Sequence, residues 1–185
     1  MRIITGIYRG RKLESPVGRD VRPTSDKVKE AMFNILQMEI TDAVVIDLFA
    51  GTGNLGLEAL SRGAEKCYFC DSSRESINLV KTNVAKCGAE KEAVILAGDF
   101  TKTLARINEQ ADIILLDPPY KAGLYEGCLQ QIDGLDLLKE DGIILAEHGS
   151  RDVMPEEVAG FVKTRTRKYG TMSVSIYKHK VEEES

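Results

Sequence analysis

The stretch Leu115-Leu116-Asp117-Pro118-Pro119-Tyr120 closes a run of apolar β-formers with a carboxylate, two residues lacking a backbone donor, and an aromatic ring. Proline fixes φ and removes the N–H, so the carbonyl oxygens of such a turn are left to face a ligand. The Asp117 carboxylate and the Pro118 carbonyl can then accept both hydrogens of an exocyclic amine, drawing its nitrogen lone pair toward an electrophile. Tyr120 can stack on the face of a base, a contact worth roughly 1–3 kcal/mol in single-strand recognition. The bland alternative is a rigid strand-to-helix turn in which Asp117 accepts from local amides.

A second constellation lies upstream. Val44 to Gly56 reads as a strand, a glycine turn and a helix start, with G-x-G-x-x-G at Gly51, Gly53 and Gly56. Absent side chains let a ligand lie against the backbone beside a helix N-terminus. Asp71, ending the next strand 20 residues after Gly51, is placed to accept hydrogen bonds from ribose hydroxyls. The ligand therefore carries a nucleoside, and two fit: a dinucleotide or S-adenosylmethionine. Asp47, four residues before the first glycine, would repel a pyrophosphate but could meet the ammonium of a methionine moiety, directly or through water. That favours S-adenosylmethionine. Asp99 and Phe100 could supply an acceptor for the adenine amine and an apolar wall for its ring; a helix cap and a core residue are the simpler roles.

The elements that must position these residues alternate along the chain. Val28, Ala31, Met32, Ile35 and Leu36 recur at helical spacing. Strand patterns then alternate with helices: VVIDLFA before a helix from about Asn54; KCYFCD before a helix with Ser72 and Glu75 in capping-box spacing and Gly88 as its stop; AVILAGD; ADIILLD before a helix from about Leu124; and GIILAEH. Unbroken apolar strands, each followed by a helix, predict a parallel sheet covered on both faces. By this count ADIILLD is the fourth strand, so Asp117 emerges at the same carboxyl edge as the glycine turn. FVKTRTRKYGTMSVSIYKH reads as two strands around Tyr169-Gly170, an antiparallel close to the sheet. The opening, RIITG and GRKLES, suits a short hairpin.

Composition sets the frame. The 185 residues, 43% hydrophobic and 29% charged, suit one globular domain, with residues 1–23 as a basic N-terminal extension and residues 24–185 as the core. No apolar run is long enough to span a membrane, and MRIITGIYRG carries charges where a signal peptide would be apolar, so a cytoplasmic location is expected. Cys67-Tyr-Phe-Cys70 has neither a second C-x-x-C nor a nearby histidine, and residues three apart on a strand face opposite ways. No metal site is expected, and all four cysteines are taken as reduced. Net charge is −4, yet residues 1–30 hold eight basic against four acidic side chains. Arg2, Arg9, Arg11, Lys12, Arg19 and Arg22 are the candidates for contact with a polyanion. Lys163, Arg165, Arg167 and Lys168 form a second basic stretch that a solvated face explains equally well.

With these residues in view the chain resembles the small-subunit ribosomal RNA guanine-N2 methyltransferases, the 16S rRNA (guanine(966)-N2) group. RIITGIYRGRKLESP, the block Arg22 to Asn34, DLFAGTGNLGLEALSRGA and DPPY carry the resemblance over nearly the whole chain. Thr52 stands where that family's glycine turn usually has serine. The resemblance implies a Rossmann-like α/β methyltransferase fold using S-adenosylmethionine, with Asp47, Gly51, Gly53, Asp71 and Asp99 holding the cofactor and Phe49, Phe100 and Thr24 beside it. It implies that Asp117, Pro118, Pro119 and Tyr120 hold the target amine, that Arg22 to Thr24 border the site, and that the substrate is small-subunit ribosomal RNA or the assembling subunit. A monomer is expected. Three rivals remain: an adenine-N6 methyltransferase of DNA or RNA with the same DPPY chemistry, a nucleotide-dependent oxidoreductase, and a non-catalytic RNA-binding module.

Overall fold

Residues 1–17, 25–119 and 123–182 are described by a computed structural model. Five apolar runs become parallel strands: β1 (Val44–Leu48), β2 (Lys66–Asp71), β3 (Ala93–Ala97), β4 (Ala111–Leu116) and β5 (Leu138–Gly149). Three further strands, β6 (Glu157–Val158), β7 (Phe161–Tyr169) and β8 (Met172–His179), join them antiparallel. The eight-stranded sheet has the order β3-β2-β1-β4-β5-β8-β7-β6. Strand order reverses between β1 and β4, and at such a switch point the connections diverge and leave a crevice at the carboxyl ends.

Helices α1 (Asp26–Ile35), α2 (Asn54–Ser61), α3 (Arg74–Cys87), α4 (Phe100–Ala105) and α5 (Leu124–Gly134) connect the strands. Because β1, β4 and β5 are buried on both faces, alternate residues feed two separate cores. Val45, Leu115 and Leu145 join one with α1, α2 and α3; Ile46, Leu116 and Ile144 join the other with α4 and α5. Cys67 and Cys70 fall into different cores, as alternation on a strand requires, and all four cysteines are free and buried.

The N-terminal segment is knit into the first core. Arg2 and Lys12 form an antiparallel bridge, so the hairpin exists as a single bridge flanked by Ile3 N–H to Arg11 O and Leu13 N–H to Met1 O. Ile3 and Leu13 are buried. Glu58 of α2 accepts the Ile4 and Thr5 N–H groups at 2.8 and 3.1 Å, and Lys29 Nζ reaches Glu58 at 3.0 Å, Asn54 Oδ1 at 2.7 Å and the Arg2 carbonyl at 2.8 Å. A lysine and a glutamate on neighbouring helices, both fully buried, thus clamp the chain's first residues to the helix that opens at the glycine turn.

Three expectations need correction. The cap of α3 is Ser73, whose side chain accepts from Ser76 N–H, while Ser72 lies outside the helix. Asp71 accepts the Ser73 N–H at 2.9 Å, which delays the helix by one residue. β5 begins at Leu138, well before GIILAEH, and the chain end adds a two-residue strand, β6, whose length gives no readable alternation.

Candidate active site

The glycine turn is a set of backbone reversals held by two carboxylates. Phe49, Gly51 and Gly53 all have positive φ, at 65°, 61° and 85°; glycine adopts this at no cost, whereas Phe49 is strained. Asp71 Oδ2 accepts the Gly51 N–H at 2.9 Å and Asp47 Oδ2 accepts the Gly56 N–H at 2.9 Å. A Cβ on Gly51 would meet nothing within 4 Å, so the outer side of the turn is open. A Cβ on Gly56 would lie 2.4 Å from the Phe69 ring and 2.7 Å from Cys67 Sγ. The first glycine leaves room for a ligand, and the third lets α2 press on β2.

Each of the five parallel strands delivers a carboxylate to this edge: Asp47 from β1, Asp71 from β2, Asp99 after β3, Asp117 after β4 and Glu147 from β5. Leu115 pairs with Asp47 and with Leu145, and Leu116 pairs with Ala146. One residue further on, Asp117 and Glu147 stand side by side, and Asp47, Asp117 and Glu147 share the face that carries α1 and α2. The sequence does not single out Glu147, because an acidic residue inside GIILAEH reads as a strand end. Its partner in the sheet reveals it.

These groups perturb one another. Asp47 is 1% exposed, and burial, opposed by the Gly56 N–H and reinforced by Asp71, pushes its carboxyl up to about 7. Burial, then the charges of Glu147 and Asp47, raise the half-buried Asp117 well above the ordinary carboxylate range. Such a carboxyl keeps its proton longer and is a stronger base once ionised. Pro118 is buried and Pro119 exposed. Tyr125, at the start of α5, donates to the Glu147 carbonyl at 2.7 Å, which ties the helix after the Asp-Pro-Pro turn to the end of β5.

On the other face Phe49 and Phe100 stand 6.3 Å apart at 58°, forming an apolar wall. Asp99 caps α4, accepting from Lys102 N–H at 3.1 Å and from Thr101 Oγ1 at 2.5 Å; the Thr101 bond and the Lys102 N–H hold its carboxyl below the ordinary range. It is exposed, so capping leaves its outer oxygen accessible. His148 is buried beside the site in a closed network, its Nδ1–H donating to Gly149 O at 2.8 Å and its Nε2 accepting from Ser175 at 2.7 Å.

Thr24, Arg19, Arg22 and Tyr120 lie outside the described residues. Of the other basic candidates, Arg2 sits near the start of α1, 3.9 Å from Asp26. Arg9 follows the hairpin bend, where Ile7 and Tyr8 hold Ser61 at the end of α2, and Arg11 donates to the Lys86 carbonyl near the end of α3 at 2.7 Å. Lys12 is exposed. Arg9 and Arg11 thus stand toward the edge opposite the carboxylates. No group of metal-ligating side chains occurs among the described residues, and no helix among them is long and apolar enough to cross a membrane. Burial pushes the Cys67 thiol well up, and Cys70 and Cys128 up to about 12, which disfavours the thiolate in each.

The donor set tests the two nucleoside ligands. An edge furnished by carboxylates suits a cation with ribose hydroxyls better than it suits a pyrophosphate. The residues present fit S-adenosylmethionine better than a dinucleotide.

Comparison with known proteins agrees with this reading of the fold. The chain is 41% identical over 181 residues to "Putative rRNA methyltransferase YlbH" of Bacillus subtilis, covering 96% of this chain and 98% of the relative. It is 32% identical over 185 residues to "Ribosomal RNA small subunit methyltransferase D" of Escherichia coli strain K12, covering 100% and 93%. The solved structure of "Putative methyltransferase yhhF from Escherichia coli" superposes with a TM-score of 0.87 at 30% identity, covering 98% of this chain and 99% of that one. The sheet is therefore the Rossmann-like sheet of methyltransferases. With a family model matched from residue 1 to residue 178, the chain belongs to the family described as Conserved hypothetical protein 95.

Proposed function

We propose that this chain transfers a methyl group from S-adenosylmethionine to the exocyclic N2 amine of a guanine, of the 966 type, in small-subunit ribosomal RNA. The observation that carries the reading is the pairing of the open glycine turn with Asp117-Pro118 on one sheet edge. The names of the relatives support ribosomal RNA as the substrate class.

When bound, S-adenosylmethionine supplies an electrophilic methyl group on a sulfonium. Asp71 would accept from the ribose hydroxyls while fixing the turn, the buried Asp47 would meet the ammonium directly or through water, and Phe49 and Phe100 would flank the adenine with Asp99 as acceptor. Asp117 and the Pro118 carbonyl orient the target amine, and Tyr120 stacks on its base. With the amine so held toward the methyl group that the cofactor would supply, the Asp117 carboxylate would accept the proton that the amine sheds on transfer. Positioning is the larger part of the acceleration. The base must leave its stack to reach the pocket, so an unpaired nucleotide is the expected target. Residues 1–185 act as one methyltransferase domain, working as a monomer in the cytoplasm.

The test is methyl transfer from labelled S-adenosylmethionine to small-subunit RNA lacking its own modifications, supplied naked and as assembled subunits, with nucleosides identified by mass spectrometry. A single N2-methylguanosine is expected. Methyladenine would replace the target by the adenine-N6 reaction, which uses the same amine chemistry.

A further inference from the structure

The basic residues of β7 divide into two sets. Lys163, near the strand's start, has its Nζ 2.9 Å from Glu156 and 3.3 Å from the Met154 carbonyl, and Lys180 beyond β8 lies 3.2 Å from Glu157. Arg165 and Arg167 are exposed and have no acidic partner among the described residues. The positive charge left unneutralised on this strand is thus away from the end where the acidic residues of the β6 segment lie.

Register shows where it points. Leu145 pairs with Ile176 and Ile176 with Arg165; Glu147 pairs with Val174 and Val174 with Arg167. Residues directly opposite on neighbouring strands share a face. Ile176 and Val174 belong to the core on the face that carries Asp47, Asp117 and Glu147. β7 runs parallel to β5, each being antiparallel to β8, so Arg167 reaches the same carboxyl edge. Two strand spacings, roughly 10 Å, separate Glu147 from Arg167 across the sheet.

We propose that Arg165 and Arg167 form a second RNA-contact surface that grips phosphates flanking the target nucleotide, an inference that rests on the function proposed above. A polyanion approaching this edge meets the carboxylates of five strands on a chain of net charge −4, so its docking needs compensating cations close by. Charges beyond about 8 Å are largely screened at physiological salt, so Arg167, roughly 10 Å from Glu147 and farther from the carboxylates of β1 to β4, keeps its charge for phosphates and is not neutralised by the site. Arginine also grips phosphate through two parallel N–H donors. Tyr169 ends the strip, pairing with Met172, and both pack against the same core. Charged edge strands also discourage pairing with other chains, but that role does not depend on which face the charge occupies.

Lys168 supplies the control, since it pairs with Ser173 and points to the opposite face of the same edge. R165Q/R167Q, R165K/R167K and K168Q are assayed on protein-free small-subunit RNA from 50 to 200 mM salt. The glutamine pair should raise the KM for RNA about tenfold and flatten the log–log salt slope by roughly 1.4, or 0.7 per lost contact on a single strand. Its kcat should stay within about twofold and its S-adenosylmethionine affinity should be unchanged, with R165K/R167K retaining most of the binding and K168Q behaving as wild type. A wild-type enzyme that methylates RNA alongside a glutamine pair with unaltered KM and salt slope would overturn the surface. So would a K168Q variant as impaired as the pair. Failure of the wild type to methylate small-subunit RNA in either form, naked or assembled, would remove the proposed function itself, and where only the assembled form is methylated the same variants are read on it.

Discussion

Asp117 and Glu147 stand side by side at the carboxyl ends of neighbouring parallel strands, one residue beyond the Leu116–Ala146 pair, on one face of the sheet. Two carboxyl groups so placed cannot ionise independently. Burial and then Glu147 raise Asp117, and the ionised form is the one that accepts from the amine. Activity should therefore fall as pH drops through the raised pKa, with an acid limb in kcat/KM above the ordinary carboxylate range. Replacing Glu147 with glutamine removes a like charge and should move that limb to lower pH. A limb unmoved in E147Q would mean that burial and Asp47, without Glu147, set Asp117.

Asp117 and Asp71 should separate in their effects. Asp117→Ala removes the amine acceptor and should lower kcat by at least about 100-fold, leaving S-adenosylmethionine affinity within a few-fold. Asp71→Ala loses charge-assisted hydrogen bonds to the cofactor and the brace on Gly51, and should weaken binding roughly ten- to hundred-fold. Calorimetric titration of both variants with the cofactor decides it; equal losses would contradict this division.

Asp47 gives stability a pH dependence of known sign. Its carboxyl rises from 3.8 unfolded to about 7 folded, so the folded protein binds a proton that the unfolded chain has already released. Stability attributable to Asp47 is greatest below about 4 and is lost as pH rises toward 7, by up to roughly 4 kcal/mol. Asp47→Asn keeps an acceptor for the Gly56 N–H and carries no charge. The cofactor-free variant should melt higher than wild type at pH 8, with the advantage shrinking at pH 5 and weaker cofactor binding throughout. Parallel melting curves at both pH values would refute the assignment.

Gly56→Ala should damage the fold and the cofactor site together. The new methyl would overlap the Phe69 ring and Cys67 Sγ, and overpacking of this kind costs typically about 1–3 kcal/mol. Because α2 begins the wall of the glycine turn, displacement of the helix should also weaken S-adenosylmethionine binding. Thermal melting and cofactor titration of one preparation read both effects.

Much of this arrangement is legible from residue order, for identifiable reasons. Buried parallel strands write themselves as unbroken apolar runs, so Val44–Leu48 and Ala111–Leu116 stand out, and the glycine spacing marks the turn between β1 and α2. Cross-strand neighbours do not: Glu147 becomes part of the site only through β4–β5 register, and Arg167 shares its face only through two further pairings. Lys29 is concealed differently. A lysine beside Val28 on an amphipathic pattern reads as solvent-facing, and only the fold brings Glu58, Asn54 and the Arg2 carbonyl around its ammonium.

That lysine carries the last prediction. Burial lowers the Lys29 pKa against the opposing pull of Glu58. Burial alone would raise Glu58, but the Ile4 N–H, Lys29 and Arg62 outweigh it and hold it below its ordinary value. The pair is therefore charged, dry and mutually dependent. Lys29→Met fits the space but leaves the Glu58 charge to Arg62 alone, 3.0 Å away, and breaking one side of a buried pair costs up to about 3–5 kcal/mol. The loss should be local first, because Lys29 also holds the Arg2 carbonyl and Glu58 holds the Ile4 and Thr5 amides. Hydrogen exchange at Ile4 and Thr5 should accelerate by more than exchange in β1 or β4. The double variant Lys29→Met with Glu58→Gln, which removes both charges and keeps one acceptor for the amides, should recover part of the stability. If the double variant is no more stable than Lys29→Met, the carboxylate left to Arg62 is not the source of the loss, and the packing of α1 on α2 or the lost Arg62–Glu58 ion pair is.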